Sequence, residues 1–260
     1  MIRGLAAIAA ATVLCVVVQR KAKRGWLGFV VPFAAVLIAA AAYLRYIGYL
    51  GGPIISIIQP ASGVPRTPFA VVLMSGDMGN KVGMGGQLIA RLSADGTPVV
   101  AVNTLRAFRT TQTPAQVTAL IAAAAASARR LTPSGRIMLV GQSFGGDMLQ
   151  VGAAGLSPAE RRGVAGVMLI VPGDTVDFRA SPSELFALGE HVVDALPTAR
   201  LLGWAPTLCI WGVEETDSLC PKLNNPAVRV VGLPGGHPLR RDADRVHAVL
   251  TDAFARALAR

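Results

Sequence analysis

From residue 69 onward, short apolar runs alternate with longer segments of helical pattern, and this alternation constrains the fold more than any other feature of the chain. The runs are FAVVLM (69–74), PVVAVN (98–103), RIMLVG (136–141), VAGVMLIV (164–171), PTLCIWG (206–212) and VRVVGL (228–233). They are rich in β-branched residues, nearly continuous in hydrophobicity and bounded by Gly, Pro or Asp, as expected of strands buried on both faces. Helical patterns occupy 83–94, 114–130, 144–155, 182–196 and 240–258. Thr113-Pro114 and Ser181-Pro182 each supply an N-cap followed by proline at the first helical position. The alanines at 122–126 add high intrinsic helix propensity. Strands alternating with helices predict an α/β fold, a mostly parallel sheet covered by helices on both faces.

The first 68 residues follow another pattern. The whole chain is 52% hydrophobic and only 15% charged, where about a quarter charged is usual for a soluble domain. Residues 26–44 (WLGFVVPFAAVLIAAAAYL) contain no charge and at about 1.5 Å per residue approach the roughly 30 Å hydrocarbon core. They are expected to span a membrane, with Pro32 tolerated there and Tyr43, Tyr46 and Tyr49 at the interface. A shorter uncharged stretch at about 4–19 is expected either to span as well, making a hairpin, or to act as a signal-like segment. The basic QRKAKR between them places that connection in the cytoplasm and the remainder outside. The expected organisation is an anchor at 1–50, a Gly/Pro/Ser-rich linker at 51–68 with one edge strand near 54–58, and a sheet domain at 69–260. Residues 174–205 are expected to form a lid-like insertion between strands.

The net charge of +10 is a poor pointer to nucleic acid. Arg3, Arg20, Lys21, Lys23, Arg24 and Arg45 lie in the anchor with no acid beside them, so 19 basic and 15 acidic residues remain elsewhere. These do not interleave with aromatics as a nucleic-acid surface would. There is no P-loop or dinucleotide fingerprint, and the three histidines are too scattered to suggest a metal site. No cofactor is expected.

The chemistry concentrates at Gly141-Gln142-Ser143-Phe144-Gly145, which ends an expected strand and opens an expected helix. This is the context of a G-x-S-x-G nucleophile elbow, whose tight turn demands minimal side chains two before and two after the serine. Ser143 then sits at a helix N-terminus, where the N–H of Phe144 can face a developing oxyanion. A second N–H is expected from the loop after the first strand, at Asp77 or Met78. A serine needs a base, and the base a third group to orient it. His237, in the LPGGHPL loop after the last strand, is the expected base; His191 and His247 fall on helical patterns. The acid is expected from the loop after TLCIWG, which offers Glu214, Glu215 and Asp217. Asp217 is preferred for its shorter side chain, with Glu215 the alternative. Cys209 and Cys220 flank this loop, a spacing that a disulfide can close and an oxidising compartment would preserve; two separate buried thiols are the other reading. Asp147 is favoured in the first helical turn by the helix dipole alone.

SGDMG, VNTLRAFRTTQTP, GQSFGGD, CIWGVEETDSLCP and LPGGH together resemble, in order, motifs of the bacterial virulence protein family typified by VirJ and the C-terminal domain of AcvB. The resemblance covers about 69–260. It implies an α/β-hydrolase fold, a periplasmic domain on the bacterial inner membrane, and hydrolysis of an ester of a membrane lipid such as lysyl-phosphatidylglycerol. By motif position it implies Ser143 as nucleophile, His237 as base and Asp217 as acid, with Asn103, Arg106 and Asp147 as candidate substrate contacts. The alternative it carries is an accessory role in type IV secretion, binding secretion components or exported proteins through a hydrolase fold. The chain departs from the family pattern at Met78, Asn80, Lys81, Asn103 and Pro238.

Overall fold

The structure, a computed structural model, describes residues 27–180 and 192–259. The chain divides into two compact units, 1–52 and 53–260.

In the first unit, Leu27–Tyr46 form helix α1, 20 residues with Pro32 inside and Arg45 in the last turn. Side chains of α1 are described from Val30, and Phe33, Val36 and Ile38 are more than 60% exposed. Among the described residues no helix is long and apolar enough to cross a membrane. The span expected at 26–44 is therefore not found among the described residues. The stretch at 4–19 and the QRKAKR segment also lie outside the described residues.

In the second unit, strands β1 (Ile55–Ile58), β2 (Phe69–Met74), β3 (Val99–Val102), β4 (Arg136–Gln142), β5 (Val164–Ile170), β8 (Thr207–Gly212) and β9 (Val228–Leu233) form one sheet in the order β1-β3-β2-β4-β5-β8-β9. Only the β1–β3 pair is antiparallel. The sheet therefore begins within the stretch expected as linker. Two further short strands, β6 (Thr175–Val176) and β7 (Val193–Asp194), pair with each other in the insertion.

Helices α2 (Gly83–Ala94) and α8 (Ala243–Leu258) cover one face. Their Leu88, Leu92, Val246, Leu250 and Phe254 pack with Val71, Leu73, Met138, Val140, Met168 and Ile210 in one core cluster. The alternate residues, among them Val72, Val100, Ile137 and Leu139, are equally buried, and α4 (Pro114–Arg129) and α5 (Phe144–Gly155) pack on that side. Each fully buried aliphatic side chain contributes roughly 1.5–3 kcal/mol. The strand expectation holds for the central strands and fails at β9, an edge strand whose Arg229, Val230 and Gly232 are exposed.

Local signals set the helix boundaries. Thr113 Oγ1 accepts from Gln116 N while Gln116 Oε1 accepts from Thr113 N at 2.8 Å. Such a cap is worth about 1 kcal/mol. Asp242 Oδ1 likewise accepts from Arg245 N at the start of α8. The helix expected at 182–196 lies mostly outside the described residues, and its last part is β7. Short helices α3 (Thr104–Ala107), α6 (Pro158–Arg161) and α7 (Leu196–Ala199) complete the described chain.

Candidate active site

β4 runs through the middle of the sheet and delivers Ser143 at its C-terminal end, with φ 53° and ψ −130°. A positive φ in a residue with a β-carbon is strained and persists only where its surroundings enforce it. Here Ser143 N donates to Ile170 O on β5 at 2.8 Å, and Ser143 O accepts from Gly146 N and Asp147 N. The flanking glycines are dictated by contact. A β-carbon at Gly145 would stand 2.2 Å from Ser75 O, and one at Gly141 would stand 2.4 Å from Gly145 O.

The expected base, His237, is carried by the loop after β9. Ser143 Oγ and His237 Nε2 are 2.7 Å apart, and His237 Nδ1 lies 2.8 Å from Glu215 Oε1. The carboxylate that meets His237 is Glu215, not the expected Asp217. Its other oxygen accepts from Gly212 N at 2.7 Å, and Glu215 N donates to Gly212 O at 2.8 Å. The turn leaving β8 thus folds the glutamate back beneath the histidine and leaves its side chain 3% exposed. Two residues further on, the chain has moved to the end of β5, where Asp217 O accepts from Asp174 N and Ser218 bridges Gly173. Asp217 is exposed there, and Glu214 turns outward to Arg240. Cys209 and Cys220 do form a disulfide, which ties β8 to the short helical turn beyond the acid loop.

His237 is held above the ordinary histidine value, first by its hydrogen bond to Glu215 and then by the negative charges of Glu215, Asp147 and Asp77, against an opposing effect of burial. With Glu215 accepting from Nδ1–H, Nε2 is free to take a proton from Ser143 Oγ. The amides of Phe144 and Gly145 open α5, where the first N–H groups have no partner within the helix. The β2 loop is pinned by Thr104, whose Oγ1 donates to Ser75 O at 2.7 Å. Of the two expected oxyanion donors from this loop, Asp77 lines the cleft over Ser143 and Met78 does not.

That cleft measures about 240 Å³ and is walled by Asp77, Met84, Gln87, Val171, Leu239 and Arg241 around Ser143 and His237. The sequence reading missed Met84, Gln87 and Val171, which carry no motif, and also Arg241. None of the described residues of 174–205 lines it. Asn103 is buried and caps α3 by accepting from Arg106 N at 3.2 Å. Asp147 Oδ1 accepts from Gly173 N at 2.8 Å. Neither residue, nor Arg106, lines the cleft; the bonds just given for Asn103 and Asp147 are made within the fold. His247 meets Asp95 at 2.8 Å on the α8 side, and His191 lies outside the described residues. Among the described residues no group of three His, Cys, Asp or Glu is placed to hold a metal ion.

A family model described as bacterial virulence protein (VirJ) matches residues 69–258, spanning the sheet from β2 onward and every member of the triad. The chain belongs to the VirJ family. No curated protein matches it in sequence. Solved structures share the fold of this VirJ-family chain at low identity. Est1E from Butyrivibrio proteoclasticus is 13% identical, with a TM-score of 0.57 over 79% of this chain and 94% of that one. The α/β hydrolase GrgF from Penicillium sp. sh18 is 14% identical, with a TM-score of 0.58 over 79% and 99%. An α/β serine hydrolase homologue from Coxiella burnetii is 16% identical, with a TM-score of 0.50 over 75% and 88%. The sheet domain is an α/β-hydrolase fold.

Proposed function

We propose that this VirJ-family protein is a serine esterase, tethered to the outer face of the bacterial inner membrane, that cleaves an ester of a membrane lipid such as the aminoacyl ester of lysyl-phosphatidylglycerol. The observation that carries the reading is the continuous chain Ser143 Oγ, His237 Nε2, His237 Nδ1, Glu215 Oε1, with links of 2.7 and 2.8 Å at the floor of an open cleft. Ser143 Oγ gives its proton to His237 Nε2 and attacks the ester carbonyl carbon. The carbonyl oxygen becomes an oxyanion facing the amides of Phe144, Gly145 and the Asp77 loop, and Glu215 stabilises the imidazolium. Collapse breaks the bond to the alcohol, which leaves with the proton from His237. Water, deprotonated by the same nitrogen, then releases the acyl or aminoacyl group from Ser143.

The membrane location is supported by the apolar α1, with its single charge at Arg45, by the basic cluster at Arg20–Arg24, and by the disulfide, which favours an oxidising compartment. A tether concentrates the site near a lipid substrate. Asp77 in the cleft wall suits the ammonium of an aminoacyl group. The test is to supply membranes containing aminoacylated phosphatidylglycerol to the wild type and to Ser143→Ala, with fluorophosphonate labelling of Ser143 in parallel. Labelling and turnover by the wild type alone are expected; equal turnover by both proteins overturns the serine mechanism.

A further inference from the structure

We propose that Arg241 is a specificity residue that binds an anionic oxyacid group, phosphate or carboxylate, carried by the ester substrate close to its scissile bond. The inference rests on the esterase reading above and concerns which esters that site prefers.

Arg241 lines the cleft that holds Ser143 and His237, and it is the only permanently cationic side chain among the described residues of its lining. Asp77 shares the cleft wall without forming an ion pair to Arg241 among the described residues, and three other nearby acids are engaged elsewhere. Glu215 is bonded to His237 and Gly212, Glu214 faces Arg240 at 3.5 Å, and Asp242 caps α8 through Arg245 N. Among the described residues no carboxylate pairs with Arg241, so its guanidinium meets the cleft with its donors available. Paired N–H donors of this kind match phosphate and carboxylate oxygens in geometry as well as charge.

The backbone that places it is costly. Leu239, Arg240 and Arg241 have φ of 48°, 52° and 59°, three consecutive left-handed residues with none a glycine. The turn is enforced by Leu239 N to Gly236 O at 2.8 Å, Arg241 N to Pro238 O at 2.7 Å and the burial of Leu239. It sends Arg240 out to the acid loop and Arg241 to the cleft, three residues past the proline that follows His237.

The full-length protein is assayed on butyryl glycerol and butyryl glycerol 3-phosphate in solution, and on an O-acyl phosphatidylglycerol in phosphatidylcholine vesicles. The ratio of kcat/KM for the phosphate ester over the neutral ester is expected to fall at least tenfold in Arg241→Gln and to recover in part in Arg241→Lys. A loss on both phosphate substrates assigns the anion to any phosphate ester; a loss on vesicles alone assigns it to a lipid headgroup. Arg240→Gln, on the same strained turn but engaged with Glu214, is expected to keep the ratio. A ratio within twofold of wild type in Arg241→Gln on every substrate, or an equal fall in Arg240→Gln, overturns the proposal. Fluorophosphonate labelling in the same samples separates the two failures. A labelled wild type with an unchanged ratio removes the anion site alone, whereas an unlabelled wild type removes the esterase reading and the site with it.

Discussion

The nucleophile and its two partners sit in regions built on opposite principles. Ser143 stands at the end of a central strand with paired strands on both sides and helices on both faces, and its strained φ is held by close packing at Gly141 and Gly145 together with backbone bonds to β5 and α5. Glu215 and His237 leave β8 and the exposed edge strand β9 on loops, outside the regular ladder of the sheet. That side is held by other devices: a disulfide across the acid loop, a glutamate folded back onto its own strand, and a left-handed turn after the histidine. A triad needs all three groups within hydrogen-bond reach, so the edge must be braced by local bonds where the centre relies on the core.

The sharpest test of this contrast is chemical. Ser143→Ala is expected to lower kcat by about 10⁴- to 10⁶-fold with the thermal transition unchanged. Glu215→Gln is expected to lower it by roughly 10³- to 10⁴-fold, while Asp217→Asn stays near wild type; a larger loss at Asp217 than at Glu215 would reverse the assignment of the acid. Gly145→Ala probes the centre. Its β-carbon would overlap the carbonyl oxygens of Met74 and Ser75, so urea unfolding is expected to show a loss of about 3 kcal/mol or more. The matching probe of the edge is Cys209→Ala with Cys220→Ala. It opens a loop of 11-residue separation, for an expected loss of about 2–3 kcal/mol, and activity should decline at temperatures where the sheet is still folded.

The smallest expected effect is on pH dependence. On the proposed mechanism His237 acts as a neutral base, so activity is expected to rise as pH passes upward through its pKa, which Glu215 holds above the reference 6.5. The acid limb of kcat/KM is therefore expected above 6.5 in the wild type, and residual activity of Glu215→Gln should show it moved to lower pH. The sign for stability is the opposite. The histidinium–glutamate pairing stabilises fully below the unfolded value and is lost as pH rises through the raised folded value.

The elbow, the central strands and the capping box at Thr113 could be read from the sequence because each depends on neighbours within a few positions. Gly141 and Gly145 announce their own contacts, and His237 was the one histidine in a loop after a strand. The acid could not be read so directly. Glu214, Glu215 and Asp217 differ little in composition, and the choice is made by a turn that returns Glu215 to Gly212. The available signal was the three-residue spacing between a strand-ending glycine and a glutamate able to accept its N–H. The exposure of β9 escaped notice because an apolar edge strand and an apolar central strand have the same composition. The left-handed run at Leu239–Arg241 escaped because nothing marks it when no residue is glycine.

That run also sets a limit on engineering. Glycine is the ordinary remedy for a left-handed position, yet the three sites are unequal. At Arg240 the side chain makes only a 3.5 Å surface contact, worth little in water, and Arg240→Gly would relax the backbone at small cost. At Leu239 the same change would remove the buried anchor of the turn, and at Arg241 it would empty one wall of the cleft. A consensus-minded stabilisation of this loop has one safe position out of three, and the other two trade stability directly against the site.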